Sequence, residues 1–270
     1  MGNFLAICRL TFKEGLSHRL LYGVAVMVIL LLPLAVLVSG FFMRDIAKIV
    51  VDLCLSTVSV SGLLVPFFLA VPMLSGDLER RTVFSLLSKP ISRPAYLLGK
   101  FGGLALLTAL VMLFTGAAGL VAVWGGRLLY GAHFFTSFSV FSYLVAMVMN
   151  FLAIMLLTSL VVLWCCLTTS SLLATLLTLA TYLIGQTIDD IVALIEAGNS
   201  QIPISLPLKY VIQTCKYLVP NLAAFDLKQQ AAHGLAIPWA VISSLGLYSL
   251  GYGAAVLTLA VFAFSRRDLA

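Results

Sequence analysis

A stretch of 61 residues without a formal charge decides the fold of this chain: residues 128–188, LLYGAHFFTSFSVFSYLVAMVMNFLAIMLLTSLVVLWCCLTTSSLLATLLTLATYLIGQTI. A helix needs about 20 mostly apolar residues to cross a hydrocarbon core roughly 30 Å thick, so this stretch holds two crossings. Small polar residues at 165–171, CCLTTSS, mark the break between them. Runs such as Val161-Val162-Leu163 lack the alternation of membrane-barrel strands, and the crossings are therefore predicted to be helices.

The rest of the chain continues this pattern. It is 62% hydrophobic and only 10% charged, with a mean hydropathy of +1.13. This excludes an ordinary soluble domain, which is about half apolar and a quarter charged. We predict an all-α, polytopic membrane protein with one transmembrane domain over 1–270. Its six spans are expected at about 20–43, 53–75, 98–124, 138–164, 170–188 and 238–264.

The distribution of basic residues predicts the orientation. If the N-terminus is cytoplasmic, ten of the 16 basic residues lie on the cytoplasmic side and six on the other side. The positive-inside rule favours this arrangement, with both termini in the cytoplasm. The net charge of +6 then follows from membrane topology and does not indicate nucleic-acid binding.

Charge is concentrated in residues 76–100, GDLERRTVFSLLSKPISRPAYLLGK, which we call the charged island. It holds seven of the 26 formal charges of the chain. Within the loop 76–93, helical spacing places Val83, Leu86 and Leu87 on one side, and Pro90 and Pro94 end the helix. Such a short amphipathic helix suits docking into a groove of a soluble cytoplasmic partner. The alternative is a solvated positive-inside loop.

Two further segments lie outside the predicted spans. Residues 1–19 are predicted to form an interfacial helix, with Phe4, Leu5, Cys8, Phe12 and Leu16 on its apolar face, although Ile7 and Leu10 interrupt this pattern. The alternative is a basic flank that anchors the first span. Residues 189–237 are predicted to be extracytoplasmic, with an amphipathic part that lies along the outer leaflet or re-enters it.

Motifs of catalysis and cofactor binding are missing from the sequence. Gly99-Lys100 is followed by Phe101, so the phosphate-binding GxxxxGK[ST] pattern fails. Ser59-Val60-Ser61-Gly62 has no histidine partner on a plausible facing span, and its small residues indicate close helix packing. Cys54 and Cys215 share the outer side, so they either form a disulfide or remain free thiols.

Polar residues inside the predicted spans are neutral. The interiors carry no formal charge, which speaks against an ion-coupled carrier. The polar residues either line a translocation path or make hydrogen bonds between helices. They comprise Asn150 in the fourth span and a stripe on one face of the fifth, Ser171, Thr175, Thr178, Tyr182 and Gln186.

The charged island resembles the first cytoplasmic loop of type-2 ATP-binding-cassette (ABC) exporter permeases. The shared pattern runs through Glu79-Arg80-Arg81-Thr82, Leu86-Leu87-Ser88-Lys89-Pro90-Ile91-Ser92-Arg93 and Gly99-Lys100. Arg81 departs from it, because many members have glycine there. The stretch from Pro220-Asn221-Leu222 to Phe225-Asp226 is similar to one in the multidrug- and copper-maturation-type branch.

This resemblance implies a non-catalytic permease subunit in a bacterial or archaeal cytoplasmic membrane. It would pair with a second permease chain, as a homodimer, and with a cytoplasmic ABC ATPase that binds ATP and Mg. The chain itself would bind no cofactor, contact membrane lipid and export an unidentified substrate. The alternatives are a membrane scaffold that docks an ATPase without transport, and an ion-coupled secondary carrier.

The resemblance also implies residue roles. A coupling helix at about 77–88 would contact the ATPase, and Arg93 and Lys100 are expected to hold the loop to lipid phosphates as membrane-interface anchors. Relatives line the central path with spans two and five, which fits the stripe from Ser171 to Gln186. The expected ATPase-coupling residues are Glu79, Arg80, Arg81, Thr82, Ser85, Leu86, Leu87, Ser88 and Pro90.

Overall fold

A computed structural model describes residues 2–42, 45–79, 92–196, 214 and 219–266. These residues contain no β-strand, which confirms the all-α prediction. The α-helices are α1 (Gly2–Leu16), α2 (Leu20–Ser39), α3 (Ile46–Val65), α4 (Val71–Glu79), α5 (Arg93–Tyr130), α6 (Val140–Leu167), α7 (Ser171–Glu196), α8 (Lys228–Ala232) and α9 (Trp239–Arg266).

Six helices of the described chain are long and apolar enough to cross a membrane, as the sequence predicts. Several are longer than the predicted spans. α5 has 38 residues, or about 57 Å at 1.5 Å per residue, which exceeds the hydrocarbon core. Charged residues mark where a span leaves lipid, but they do not stop a helix. The six candidate spans are 20–39, 46–77, 93–130, 140–167, 171–193 and 239–266.

The second span contains a wide helical turn. α3 and α4 are joined by a π-helical turn, Pro66–Ala70, in which the Val71 N–H donates to the Pro66 carbonyl. Pro66 has no N–H to continue an α-helical pattern, and such an insertion is a usual response to a break in the hydrogen-bond ladder. Leu69 and Ala70 are fully buried, so the turn lies inside the bundle. Nothing in the apolar pattern predicted it.

The bundle has two ends. We call the end where residues 80–91 connect α4 to α5 the island end, and the opposite one the far end. The middle of the bundle is formed by the second span, residues 46–77, and by α6, which are the two most buried of the six candidate spans. α2, α7 and α9 are peripheral and mostly exposed. Their exposed apolar faces suit contact with lipid or with another chain.

α1 packs along the island-end half of α5 at two glycines. A Cβ at Gly103 would lie 2.8 Å from the Cys8 carbonyl oxygen, and one at Gly99 would lie 2.9 Å from the Cβ of Ile7. Only glycine permits this approach, as in small-residue helix contacts in membranes. The buried face of α1 comprises Ile7, Cys8, Thr11 and Gly15.

The buried face of α1 is offset from its predicted apolar face. Phe4, Leu5 and Leu16 are exposed, whereas Ile7, which interrupts the predicted pattern, lies at the centre of the contact. α1 packs against a groove formed by glycines and keeps Phe4, Leu5 and Leu16 on the outside of the bundle. Their contact with the membrane surface stays a prediction. Cys8 is buried, as predicted.

The segment after residue 219 returns into the far end of the bundle. The Leu222 N–H donates to the Gly185 carbonyl of α7 at 2.9 Å, and Phe225 and Ala231 are buried. α8 packs on α3 and α6. Gly234 has a φ of 68° and comes so close to the Ser137 carbonyl that a Cβ would lie 2.1 Å from its oxygen, so only glycine fits there.

Candidate functional site

A cavity of about 330 Å³ lies between α3, α6, α7 and the segment 222–228. It brings together residues from distant parts of the sequence. Its walls are formed by Ser56, Ser59, Val60, Leu63, Asn150, Ala153, Ile154, Leu157, Tyr182, Gln186, Leu222, Phe225, Asp226 and Lys228. The lining is thus part polar and part apolar, a combination typical of ligand pockets.

Neutral polar side chains enter the cavity from three helices. Asn150 comes from α6, Tyr182 and Gln186 come from α7, and Ser56 and Ser59 come from α3. The Tyr182 ring meets the ring of Phe67 edge to face, with centroids 6.3 Å apart. Because Phe67 belongs to the π-helical turn, that turn helps to fix a cavity-lining side chain.

The cavity also contains a charged pair. The Lys228 ammonium lies 3.1 Å from a carboxylate oxygen of Asp226, and the Lys228 N–H donates to the other oxygen at 3.2 Å. Sequence reasoning missed both residues because it placed 189–237 outside the spans. The only signal in the sequence is the resemblance of the stretch from Pro220 to Asp226, which contains Asp226 but not Lys228.

Asn221 ties this segment to two helices. Its side-chain amide donates to the Asp189 carboxylate of α7, and its backbone N–H donates to the Tyr248 hydroxyl of α9 at 3.3 Å. Its side-chain oxygen accepts the Ala224 N–H at 3.1 Å and so caps the turn that carries Phe225. One asparagine therefore holds the far-end wall of the cavity in place.

The polar stripe of α7 divides into two parts. Tyr182 and Gln186 line the cavity together with Asn150, whereas Ser171, Thr175 and Thr178 are not among the lining residues. The Thr178 hydroxyl is fully buried and donates to the Ala174 carbonyl at 2.7 Å; that of Thr175 donates to Ser171 at 2.8 Å. Hydroxyls that bond to their own helix need no aqueous lumen, so a shared arc does not imply a shared role.

The small residues of α3 divide in the same way. Ser61 is fully buried and its hydroxyl lies 3.0 Å from that of Thr115, which agrees with the predicted helix packing. Ser59 instead faces the cavity. Cys54 is a buried free thiol, and Cys215 lies outside the described residues.

Most of the predicted ATPase contacts fall outside the described residues. These are Arg80, Arg81, Thr82, Ser85, Leu86, Leu87, Ser88 and Pro90, all within 80–91. Glu79 is the last residue of α4. The roles of these residues therefore stay predictions.

Arg93 and Lys100 contact protein groups. The Arg93 guanidinium donates to the carbonyls of Ser265 and Phe264 at the end of α9, at 2.8 and 3.4 Å. The side chain of Lys100 is only 4% exposed, and its ammonium lies 2.7 Å from the Asp77 carboxylate. This burial contradicts the predicted lipid-phosphate contact of Lys100, because a nearby acid has taken the place of the phosphate.

These features define a multi-pass helical membrane protein with a part-polar cavity among its spans. The chain matches the family described as ABC-2 family transporter protein over residues 5–269, and it therefore belongs to that family. It is thus a membrane component of an ABC transporter, a class whose members are non-catalytic and work with an ABC ATPase subunit. Comparison with curated proteins gives no match.

Proposed function

We propose that this chain is the permease subunit of an ABC exporter and that the 330 Å³ cavity is part of its substrate path. The observation that carries the proposal is that the second and fifth spans, α3 and α7, face each other across a part-polar cavity among apolar spans. Polar groups inside membrane spans are costly unless they pair or serve a function.

The lining indicates the kind of cargo. Asn150 and Gln186 offer neutral hydrogen-bonding groups, whereas Leu63, Leu157 and Phe225 offer apolar surface. A solute that has both a polar group and an apolar body matches both walls. The protein lies in the cytoplasmic membrane of a bacterium or archaeon, and both of its termini are in the cytoplasm.

Energy comes from a separate ATPase that docks on the charged island at about 77–88. ATP and Mg remain on that partner, and this chain supplies the spans that move. A second copy completes the transporter, and the exposed Val60 beside the cavity supports this arrangement because the wall is open there. The similarity of the Pro220–Asp226 stretch favours the multidrug- and copper-maturation-type branch.

Transport by a cavity variant tests the proposal. The complex of tagged chain and co-purifying ATPase is reconstituted into liposomes, and ATP-driven movement of rhodamine 6G and of NBD-labelled lysophosphatidylcholine is measured. Asn150→Leu with Gln186→Leu should reduce movement of a transported probe at least about tenfold, as expected when buried polar partners of a ligand are removed.

The control changes polar residues of the same α7 stripe that do not line the cavity. Ser171→Ala with Thr175→Val should transport like the unchanged chain. Equal loss in both variants would show that the stripe only supports packing. A scaffold would instead show ATP turnover that no probe alters, with no ATP-driven flux of either probe.

A further inference from the structure

Four helices meet around one buried lysine at the island end. Lys100 of α5 is 4% exposed and pairs with Asp77 of α4 at 2.7 Å. Glu14 of α1 lies 3.6 Å from the same ammonium and is half exposed. Lys100 therefore makes a close buried contact with α4 and a looser contact with α1.

The fourth helix joins through the residues next to this pair. The Tyr96 hydroxyl donates to the same Asp77 oxygen at 2.7 Å, and the Tyr96 ring stacks on Phe264 of α9 at 6.1 Å. Arg93, one turn earlier, binds the last carbonyls of α9. The ionic contact between α4 and α5 is thus continuous with the end of α9.

Stability alone is a weak explanation for an ion pair whose lysine is buried and whose aspartate is 22% exposed. Desolvation offsets much of the attraction, and well-packed apolar residues of similar volume are often as stable. Separating the two groups leaves the buried Lys100 ammonium without its close partner, which is strongly unfavourable. The pair therefore favours one placement of α4 relative to α5.

The pair links the two helices that flank the proposed ATPase-docking loop. Asp77 and Lys100 stand on either side of residues 80–91, so both ends of the proposed ATPase-docking loop are held at one contact. α4 continues through the π-helical turn into α3, which carries Ser56 and Ser59 into the cavity. A contiguous path of packed helix therefore runs from Lys100 to the cavity wall.

We propose that Lys100 is a positioning residue that makes α1, α4 and α5 move together when the ATPase displaces the charged island. It passes this movement to the cavity through Asp77 and the α4–α3 helix. This inference rests on the proposed function, because it needs an ATPase that acts on the island.

A double variant removes the ion pair without stranding a charge. Asp77→Asn keeps an acceptor for the Tyr96 hydroxyl, and Lys100→Met keeps an unbranched side chain of similar length. The matched control makes the same two substitutions in the exposed pair of Asp45 and Lys48 at the far end, where the ion-pair distance is 2.8 Å.

The readout is the rate at which a maleimide labels a cysteine placed at Ser59, with and without ATP and vanadate, corrected for labelling of the chain without that cysteine. The chain is purified with its co-purifying ATPase in nanodiscs. In the Asp77→Asn, Lys100→Met variant, the nucleotide-dependent change in labelling should fall roughly five- to tenfold, which lies within the roughly two- to thirtyfold effect of mutations in coupling networks. Melting temperature and ATPase co-purification should stay at the unaltered values, and the control variant should respond normally.

Two results would overturn the inference. A double variant that responds to nucleotide like the unchanged chain shows that the pair plays no part in coupling. Parallel loss of response and of melting temperature shows a purely structural role. If instead the unchanged chain retains no ATPase and shows no nucleotide response, the proposed function itself fails, and the inference with it.

Discussion

Gly99 and Lys100 are neighbours with separate roles. Gly99 leaves room for α1, and Lys100 pairs with an acid 23 positions earlier in the chain. The sequence marks Lys100 as a charge near a span end, which is equally expected of a residue that faces lipid head groups. The two roles, lipid contact and ion pairing, are distinguished only by the structure, in which α4 packs close to α5 and brings Asp77 to Lys100.

At this ion pair, Asp77→Ala should lower the free energy of unfolding by about 3–5 kcal/mol, because the buried Lys100 loses its close partner. Glu14→Gln should cost no more than about 1 kcal/mol, since its contact is longer and half exposed. Denaturant unfolding of the purified chain in mixed micelles measures both. Equal costs would contradict the assignment of Asp77 as the main partner.

The contact between α1 and α5 gives a second test. Gly103→Ala places a methyl group against the Cys8 backbone and should destabilise the chain by about 1–3 kcal/mol, the usual cost of overpacking. Gly125→Ala is the control, because nothing lies within 4 Å of its new Cβ, and it should stabilise α5 by up to about 1 kcal/mol. The same unfolding assay compares them, and effects of equal sign would refute the close approach.

Among the elements, the far-end segment depends on Asn221. Asn221→Leu removes contacts to α7, to α9 and within its own turn, each worth about 1 kcal/mol. Amide hydrogen exchange over 222–232 should therefore speed up roughly tenfold or more, because local opening becomes easier. Gln229→Leu, on the exposed side of α8, should leave exchange unchanged. Unaltered protection in the Asn221 variant would show that other contacts hold the segment.

The helices show which structural features a hydropathy pattern can predict and which it cannot. Uncharged intervals located six spans because crossing lipid requires them. They could not locate the end of α5, since Gly131, with a φ of 100°, ends that helix and lies beyond the predicted span. They also could not show that residues 219–232 pack against the bundle, because a segment that packs against protein does not need a continuous apolar run.

For the molecule as a whole, the charged island should determine partner binding. Glu79→Ala with Arg80→Ala should weaken ATPase co-purification about tenfold, as expected for polar contacts at the centre of an interface. Membrane insertion should not change. Asp45→Ala with Lys48→Ala removes an equal number of charges at the far end and should retain the ATPase. Undiminished co-purification by the island variant would contradict docking at this loop.

The cavity shows the limit of prediction from sequence. The sequence shows Asn150 and Gln186 as polar residues within apolar helices, and the structure brings both to one cavity. Ser56 and Asp226 join them only because α3 and the far-end segment fold against the same space. A local sequence pattern cannot show that these residues are close in space. Family membership could be predicted, because the motif that indicates it lies within one short segment of the chain.

The π-helical turn at Pro66–Ala70 makes one residue of the second span expendable. That turn uses one amino acid more than an ordinary α-turn. Deleting one residue inside it restores regular winding and leaves Ser59 and Asp77 facing their present neighbours. Deleting one residue elsewhere between 46 and 79 swings one end about 100° relative to the other. Tolerance to shortening should therefore be confined to these five positions.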